Sequence, residues 1–392
     1  MNQIDYVVIG GGIIGSSIAR ALALRGAGTV IVIEKESTLG EHASGRNSGV
    51  LHSGINQKPG TLKARMAVQG NTRAREFCRQ RHVPMLECGT IVVARDSRER
   101  RVLETVQAMG VAAGVDDLTI IDRVELERRE PAVVGESALF SPTGAVVDSV
   151  AFLNAVADDA KAHGAHFVMG AHVNEVHHGV VVTTAGDYRA DHIINAAGLW
   201  ADTIAHMMGA ALQYTIIPFR GEYMEVKNLD VRSMVYQVPD LRYPFLGVHF
   251  TRTVDGRVLA GPSATISFGR ESYRKQVHAR DALSMAATSN FWRLVLSSEF
   301  LKLAAHNAKL SFSSRAFLAE IQTLAPTVTA ADIIPYRSGI RAQMVDRQGR
   351  MVNDMVVEFL PNSTQILNAV SPGMTAALAF AEYVVNRIQS YI

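Results

Sequence analysis

A short apolar run, a glycine turn, a helix and a second apolar run open this sequence, and that order leaves few folds. Tyr6-Val7-Val8-Ile9 is β-prone and wholly apolar, as in strands buried on both faces of a parallel sheet. Gly10-Gly11-Gly12-Ile13-Ile14-Gly15 follows at once. Ile18, Ala21 and Leu22 then recur at helical spacing, and Gly26 suits the stop. Val30–Ile33 reads as a second buried strand closed by Glu34. Each part has a physical task. Gly10 permits the tight turn, Gly12 lets the backbone approach a pyrophosphate, and Gly15 lets helix and strand pack closely. The helix N-terminus turns free N–H groups and a positive dipole end towards phosphates. Glu34 is placed to accept ribose hydroxyls and would repel a 2′-phosphate, which disfavours NADP. The pattern predicts a dinucleotide-binding α/β domain rather than a plain tight βα turn.

Composition narrows the rest. A chain of 392 residues has room for two or three domains. Its 48% hydrophobic content is that of a globular protein, not of a disordered or low-complexity one. Lysine plus arginine number 39 against 37 acidic residues, so no basic excess points to nucleic acid. Cys78 and Cys88 are the only cysteines, which excludes a disulfide framework and a cysteine zinc site. The histidines show no ligand-like pairing, so no metal is expected. No uncharged apolar run is long enough to span a membrane. The apolar run beginning at Tyr6 leaves no space for a targeting segment. A reducing cytoplasmic setting is therefore expected.

The next segment selects the dinucleotide. Leu39–Gly54 is a long loop rich in glycine and serine, where an NAD domain would continue with another βα unit. Ser44, Gly45, Arg46, Asn47, Ser48 and Gly49 are its candidates for contact with a flat ligand, with Lys35 just before them. Near the C-terminus a strand ending at Leu367-Asn368 leads through Ser371-Pro372-Gly373-Met374-Thr375 into an apolar helix. That helix N-terminus suits an anionic flavin locus.

Between them, Val173, the hairpin over 180–188 and the strand ending Asn195-Ala196-Ala197-Gly198 complete a recognisable whole. The chain resembles the D-amino-acid-oxidase-like FAD oxidoreductases. That resemblance implies a glutathione-reductase-type Rossmann FAD domain interleaved with an antiparallel-sheet substrate domain, of mixed α/β and α+β class. It also implies backbone contacts from Val173 to adenine and a close pass of Ala197-Gly198 along the cofactor. Longer blocks narrow it: His42–Ile55, Lys58–Arg65, Pro218–Tyr223, Arg242–Thr251 and Gly339–Gln343 are similar to the L-2-hydroxyglutarate dehydrogenases.

The reaction so implied moves the Cα hydrogen of a 2-hydroxy acid to FAD as hydride while a base takes the hydroxyl proton. Histidine suits the base. His52, in the glycine-rich loop, and His249, in an apolar strand, are both candidates, and either can instead be a satisfied structural histidine. A dicarboxylate needs two cationic anchors, for which arginine is preferred. Arg341 matches the place where relatives bind a carboxylate or the flavin edge. Arg220, Arg252 and Lys63 are further options, and Tyr223 and Tyr243 are candidate hydroxyl donors. The expected substrate is L-2-hydroxyglutarate or a similar 2-hydroxy dicarboxylate, with a quinone or other respiratory acceptor. The alternatives are an amino-acid or amine oxidase of glycine- or sarcosine-oxidase type on the same fold, and a flavin-binding redox sensor.

The expected division gives residues 1–84, 145–214 and 333–392 to the FAD domain, and 85–144 and 215–332 to the substrate domain. Asp281–Leu310 reads as one helix carrying Phe291, Trp292, Leu294, Leu296, Phe300 and Leu301. It is either a core-facing amphipathic helix or a face for peripheral membrane contact.

Overall fold

In a computed structural model, residues 4–239, 247–369 and 371–390 are described. Ile4–Ile9 sits at the centre of a parallel sheet, with Val8 opposite both Val32 and Ile194. The parallel strands run in the order His166–Val168, Val30–Ile33, Ile4–Ile9, Gly186–Asn195 and Ser363–Asn368. Val356–Leu360 adds an antiparallel edge. The first half of Gly186–Asn195 pairs instead with Val180–Thr183, which pairs with Val173–His177, forming an antiparallel meander.

The glycine turn works as its spacing predicts. Gly10 has a positive φ of 106°, and a Cβ on Gly15 would overlap the Gly10 carbonyl oxygen. Helix Ile13–Leu24 can therefore lie tightly on the sheet. Ile18 and Leu22 share its core with Val8, Val32 and, from helix Gly373–Gln389, Phe380, Val384 and Val385. The first and last described helices thus pack together on one face of the sheet, whose carboxyl edge ends at Gly10, Glu34 and Ala196.

A second, mostly antiparallel sheet faces that edge. Its spine is the pair Thr215–Val226 and Ile333–Val345, running from Thr215 opposite Val345 to Val226 opposite Ile333 with one register shift between Glu222 and Met224. It continues through Val258–Gly261, His249–Arg252 and Met234–Gln237 to Thr90–Ala94, Ser137–Ser141 and Thr119–Asp122. Met234–Gln237 with Thr90–Ala94 is its parallel pair among the described residues. The strand beginning at Ile333, expected in the FAD segment, belongs by hydrogen bonding to this second sheet. Its partner lies more than a hundred residues upstream, and local periodicity carries no record of so distant a pairing.

The single helix expected over 281–310 is three: Ala279–Ala286, Ser289–Val295 and Ser298–Phe312. Thr288 and Ser297 each accept a backbone N–H and start a new helix. Phe291, Leu294 and Phe300 pack against Ile217 and Phe219, while Trp292, Leu296 and Leu301 are exposed. The helices Ser289–Val295 and Ser298–Phe312 each carry both buried and exposed apolar residues. No helix among the described residues is long and apolar enough to cross a membrane.

Candidate active site

Between the carboxyl edge of the parallel sheet and the second sheet lies a cavity of about 1420 Å³. Gly10, Glu34 and Ala196 follow directly on three parallel strands and line it, as expected for ligand crevices in open α/β sheets.

One end is built from backbone. Gly12 caps helix Ile13–Leu24 without a side-chain bond, and the Ile13 N–H donates instead to Ser44 Oγ at 2.9 Å. The Glu34 carboxylate accepts the Gly11 N–H at 2.7 Å and the Glu36 N–H at 3.0 Å. A carboxylate has about four lone-pair sites, so capacity for ribose hydroxyls remains. Val173, Ala197 and Gly198 line the same end.

In the middle, the loop carrying Ser44–Gly49 is clamped by the second sheet. Arg337 donates to the Gly45 carbonyl at 2.9 Å and to the Asn47 carbonyl at 3.0 Å. Gly339 lies so close that a Cβ would overlap the Arg46 carbonyl oxygen. The Arg46 guanidinium stacks 4.1 Å from the centre of the Tyr273 ring. Opposite, helix Gly373–Gln389 begins at Pro372 with no side-chain cap, and Ser371–Met374 line the cavity. Its N-terminal N–H groups and positive dipole end face the space between. Thr375 is just behind, with its Oγ1 accepting the His52 N–H at 3.0 Å and donating to the Val50 carbonyl at 3.3 Å.

The far end carries titratable side chains. His52, Lys63, Tyr223, Tyr236, His249 and Arg341 all line it. Burial, with Lys63 nearby, lowers the His52 pKa to about 4. Burial, with His52 and Arg341 nearby, lowers that of His249 to about 3, against the opposing pull of the Gly247 carbonyl. Both rings are neutral at pH 7. His249 Nδ1 stands 2.9 Å from that carbonyl. A carbonyl only accepts, so Nδ1 carries the proton and Nε2 keeps a free lone pair. The ring stacks on Tyr236, centroids 4.3 Å apart. Burial also lowers the pKa of Lys63, opposed by Asp354, and of Arg341, opposed by Tyr223. Asp354 accepts the Lys63 N–H at 2.8 Å and so fixes the start of helix Leu62–Gln80.

A cluster at the border of the two sheets joins them. Lys35 pairs with Glu36, with Glu271 at 2.8 Å and with His42 Nε2 at 2.7 Å, and His42 Nδ1 meets the Tyr273 hydroxyl at 2.7 Å. Glu36, His42 and Glu271 are close enough to share an ion, but the Lys35 ammonium already bonds all three.

Most sequence candidates meet in this cavity: Gly10, Gly12, Ile13, Ile14, Glu34, Lys35, Ser44, Arg46, Asn47, Ser48 and the others named above. Gly15, Gly45, Gly49 and Thr375 support its walls from behind. Arg220 and Arg252 are corrections. Arg220 alternates with Gly221 and Tyr223, which face the cavity, so its side chain points to the other face of the strand. Arg252 is half-exposed beside Asp230, 3.9 Å away. Tyr243 lies outside the described residues. Tyr236, Gly339 and Asp354 went unassigned. Only Gly339 carried a signal, as a glycine inside a strand pattern.

The glycine turn, the two bare helix N-termini and the acid closing the second parallel strand are the features of a dinucleotide-binding oxidoreductase fold. The family described as FAD dependent oxidoreductase matches residues 5–387. The L-2-hydroxyglutarate dehydrogenase of Escherichia coli strain K12 is 33% identical, with 99% of this chain and 94% of that protein covered. The mitochondrial L-2-hydroxyglutarate dehydrogenase of Homo sapiens is 32% identical, with 99% and 89% covered. The FAD-bound L-alpha-glycerophosphate oxidase of Mycoplasma pneumoniae shares the fold, with a TM-score of 0.79 at 23% identity over 99% of this chain and 95% of that one. The chain thus belongs to the FAD dependent oxidoreductase family, in the group of the L-2-hydroxyglutarate dehydrogenases. FAD is its cofactor.

Proposed function

We propose that this enzyme oxidises L-2-hydroxyglutarate to 2-oxoglutarate at the titratable end of the cavity. The observation that carries the reading is the convergence there of two neutral histidines and two cations held in a desolvated setting. Desolvated cations favour an anionic ligand strongly, since charge-assisted bonds gain strength where water is excluded. Arg341 and Lys63 supply one anchor for each carboxylate. When bound, FAD supplies the acceptor for the Cα hydride. His249 accepts the hydroxyl proton at Nε2, because the Gly247 carbonyl fixes the proton on Nδ1. A bound dianion stabilises the imidazolium so formed and raises its pKa towards neutrality. His52, tied by its backbone to Thr375, holds the second ring position beside Lys63. Bulky Tyr223 and Tyr236 help to exclude water from the reacting carbon.

The electrons then leave to a quinone at a membrane surface. Exposed Leu283, Trp292, Leu296 and Leu301 on the helices over 279–312 support this part of the reading, because clustered exposed apolar residues mark interaction sites. The cytoplasmic side of a membrane is the setting that fits it.

Anaerobic mixing of the yellow holoenzyme with L- and D-2-hydroxyglutarate, L-lactate and glycine tests the reading. Loss of flavin absorbance is expected with the L-dicarboxylate. Bleaching by glycine alone would overturn it in favour of an amine oxidase.

A further inference from the structure

The second sheet's half of the border cluster comes from one loop. Residues 268–278 lie outside strands and helices, between strand Thr265–Ile266 and helix Ala279–Ala286. The His278 N–H donates to the Phe268 carbonyl at 3.0 Å, so the two ends of the loop meet. A compact surface loop closed at its base can turn as one piece about that base. Its tip reaches the parallel-sheet layer on both sides of the central strand. One Glu271 oxygen takes the Lys35 ammonium at 2.8 Å and the Trp200 Nε1–H at 3.0 Å. Lys35 follows strand Val30–Ile33, Trp200 follows Gly186–Asn195, and these two strands flank Ile4–Ile9. Glu271 therefore bridges the end of the strand that leads into the glycine turn. On one side of the bridge the Tyr273 hydroxyl meets His42 Nδ1 at 2.7 Å, and its ring lies under Arg46. On the other, Arg270 forks onto the Asp202 carboxylate at 2.7 and 3.0 Å and donates to the Leu199 carbonyl. Arg270, Glu271, Lys35 and Trp200 all line the flavin cavity. Each of these ties is made by a loop side chain. Among the described residues, no backbone-to-backbone bond joins the loop to the parallel-sheet layer. Side-chain ties can be exchanged for water one at a time, which makes such a loop a low-stability element.

We infer that this loop is a latch on the nucleotide end of the cavity, turning away about its base to admit FAD and to release it. A pyrophosphate belongs at the glycine turn, and the Glu271 bridge crosses the way out from there. FAD passes when the latch is open. The ties hold the loop shut in the apoprotein and in the loaded protein alike, so weakening them raises the open fraction of both. Entry and release then quicken together, and affinity stays nearly constant. A residue that touches FAD itself behaves otherwise: its loss quickens release alone and weakens affinity. The latch concerns FAD and no particular substrate, so it is tested apart from the substrate reading above.

Stopped-flow fluorescence of FAD binding to the full-length apoprotein, and of FAD release from the holoenzyme, reads both rates without substrate. Glu271→Gln keeps an acceptor for Trp200 but loses the ion pair with Lys35. Both rate constants should rise about tenfold or more, with Kd kept within about threefold. Tyr273→Phe loses the bond to His42 and keeps the ring under Arg46. It should raise both rates about two- to tenfold, and it decides the matter if Glu271→Gln fails to fold. Unchanged rates would overturn the inference. So would faster release with an unchanged association rate, which would make these side chains direct FAD contacts.

Discussion

The two ends of the flavin cavity are made from different material. The nucleotide end presents backbone: N–H groups at a helix start, a glycine turn and one acid held by two amides. The substrate end presents side chains: two neutral histidines, a lysine and an arginine, brought together from Leu51–Gly54, the start of helix Leu62–Gln80, His249–Arg252 and Ile333–Val345. A backbone site tolerates exchange of most side chains but no added Cβ at its turn. A side-chain site tolerates small steric change but no change of charge. The difference separates cofactor retention from substrate turnover, and each can be broken alone.

The largest effect is expected at the turn. Gly15→Val forces a Cβ into the Gly10 carbonyl, where no flexible neighbour can yield. A loss of about 3 kcal/mol or more in stability follows from such overpacking, and the protein should purify without flavin absorbance. At the other end, His249→Gln keeps a yellow protein but removes the proton acceptor. A fall in kcat of about 10²- to 10⁴-fold is expected, read by stopped-flow flavin reduction. Arg341→Ala should raise KM by about ten- to a hundredfold with FAD retained. Loss of FAD in that variant would make Arg341 part of the nucleotide end and erase the contrast.

How far each end is legible from the sequence follows the same division. The turn, its helix and Glu34 are contiguous, so spacing alone marks the turn, which the structure forms with Gly10, Gly12 and Glu34 on the cavity wall and Gly15 behind it. The Ser44–Gly49 loop and the Ser371–Thr375 helix start are local too, and both contribute to the cavity wall. The substrate end depends on strand register across long separations. Arg341 and His249 come out in the cavity. Arg220, in an equally suggestive Pro-Phe-Arg-Gly-Glu-Tyr run, faces away, because one position along a strand reverses the side. Tyr236 had no local mark at all. Its role as the stacking partner of His249 arises only when Met234–Gln237 pairs with His249–Arg252 two strands into the sheet.

Acid sensitivity sharpens the contrast further. His52 and His192 have folded pKa values of about 4 and His249 of about 3, all below the ordinary 6.5. The unfolded chain therefore takes up protons first as pH falls. Stability is full above about pH 6.5 and declines through the window down to about 4, by at most about 1.4 kcal/mol per pH unit for each ring. Urea unfolding without substrate should show this slope, and His249→Gln should reduce it by the share of one ring. The smallest effect is expected at Arg252→Ala. Its side chain is half-exposed and lines no part of the cavity, so kcat/KM should stay within about twofold.

The central claim is that two desolvated cations read two carboxylates. The direct measurement is the ratio of kcat/KM for L-2-hydroxyglutarate over L-2-hydroxypentanoate, which replaces the distal carboxylate with a methyl group, in the parent enzyme and in Lys63→Met. A parent ratio of about a hundredfold or more, falling about tenfold or more in the variant, is predicted from the loss of one charge-assisted bond. An unchanged ratio would contradict the account.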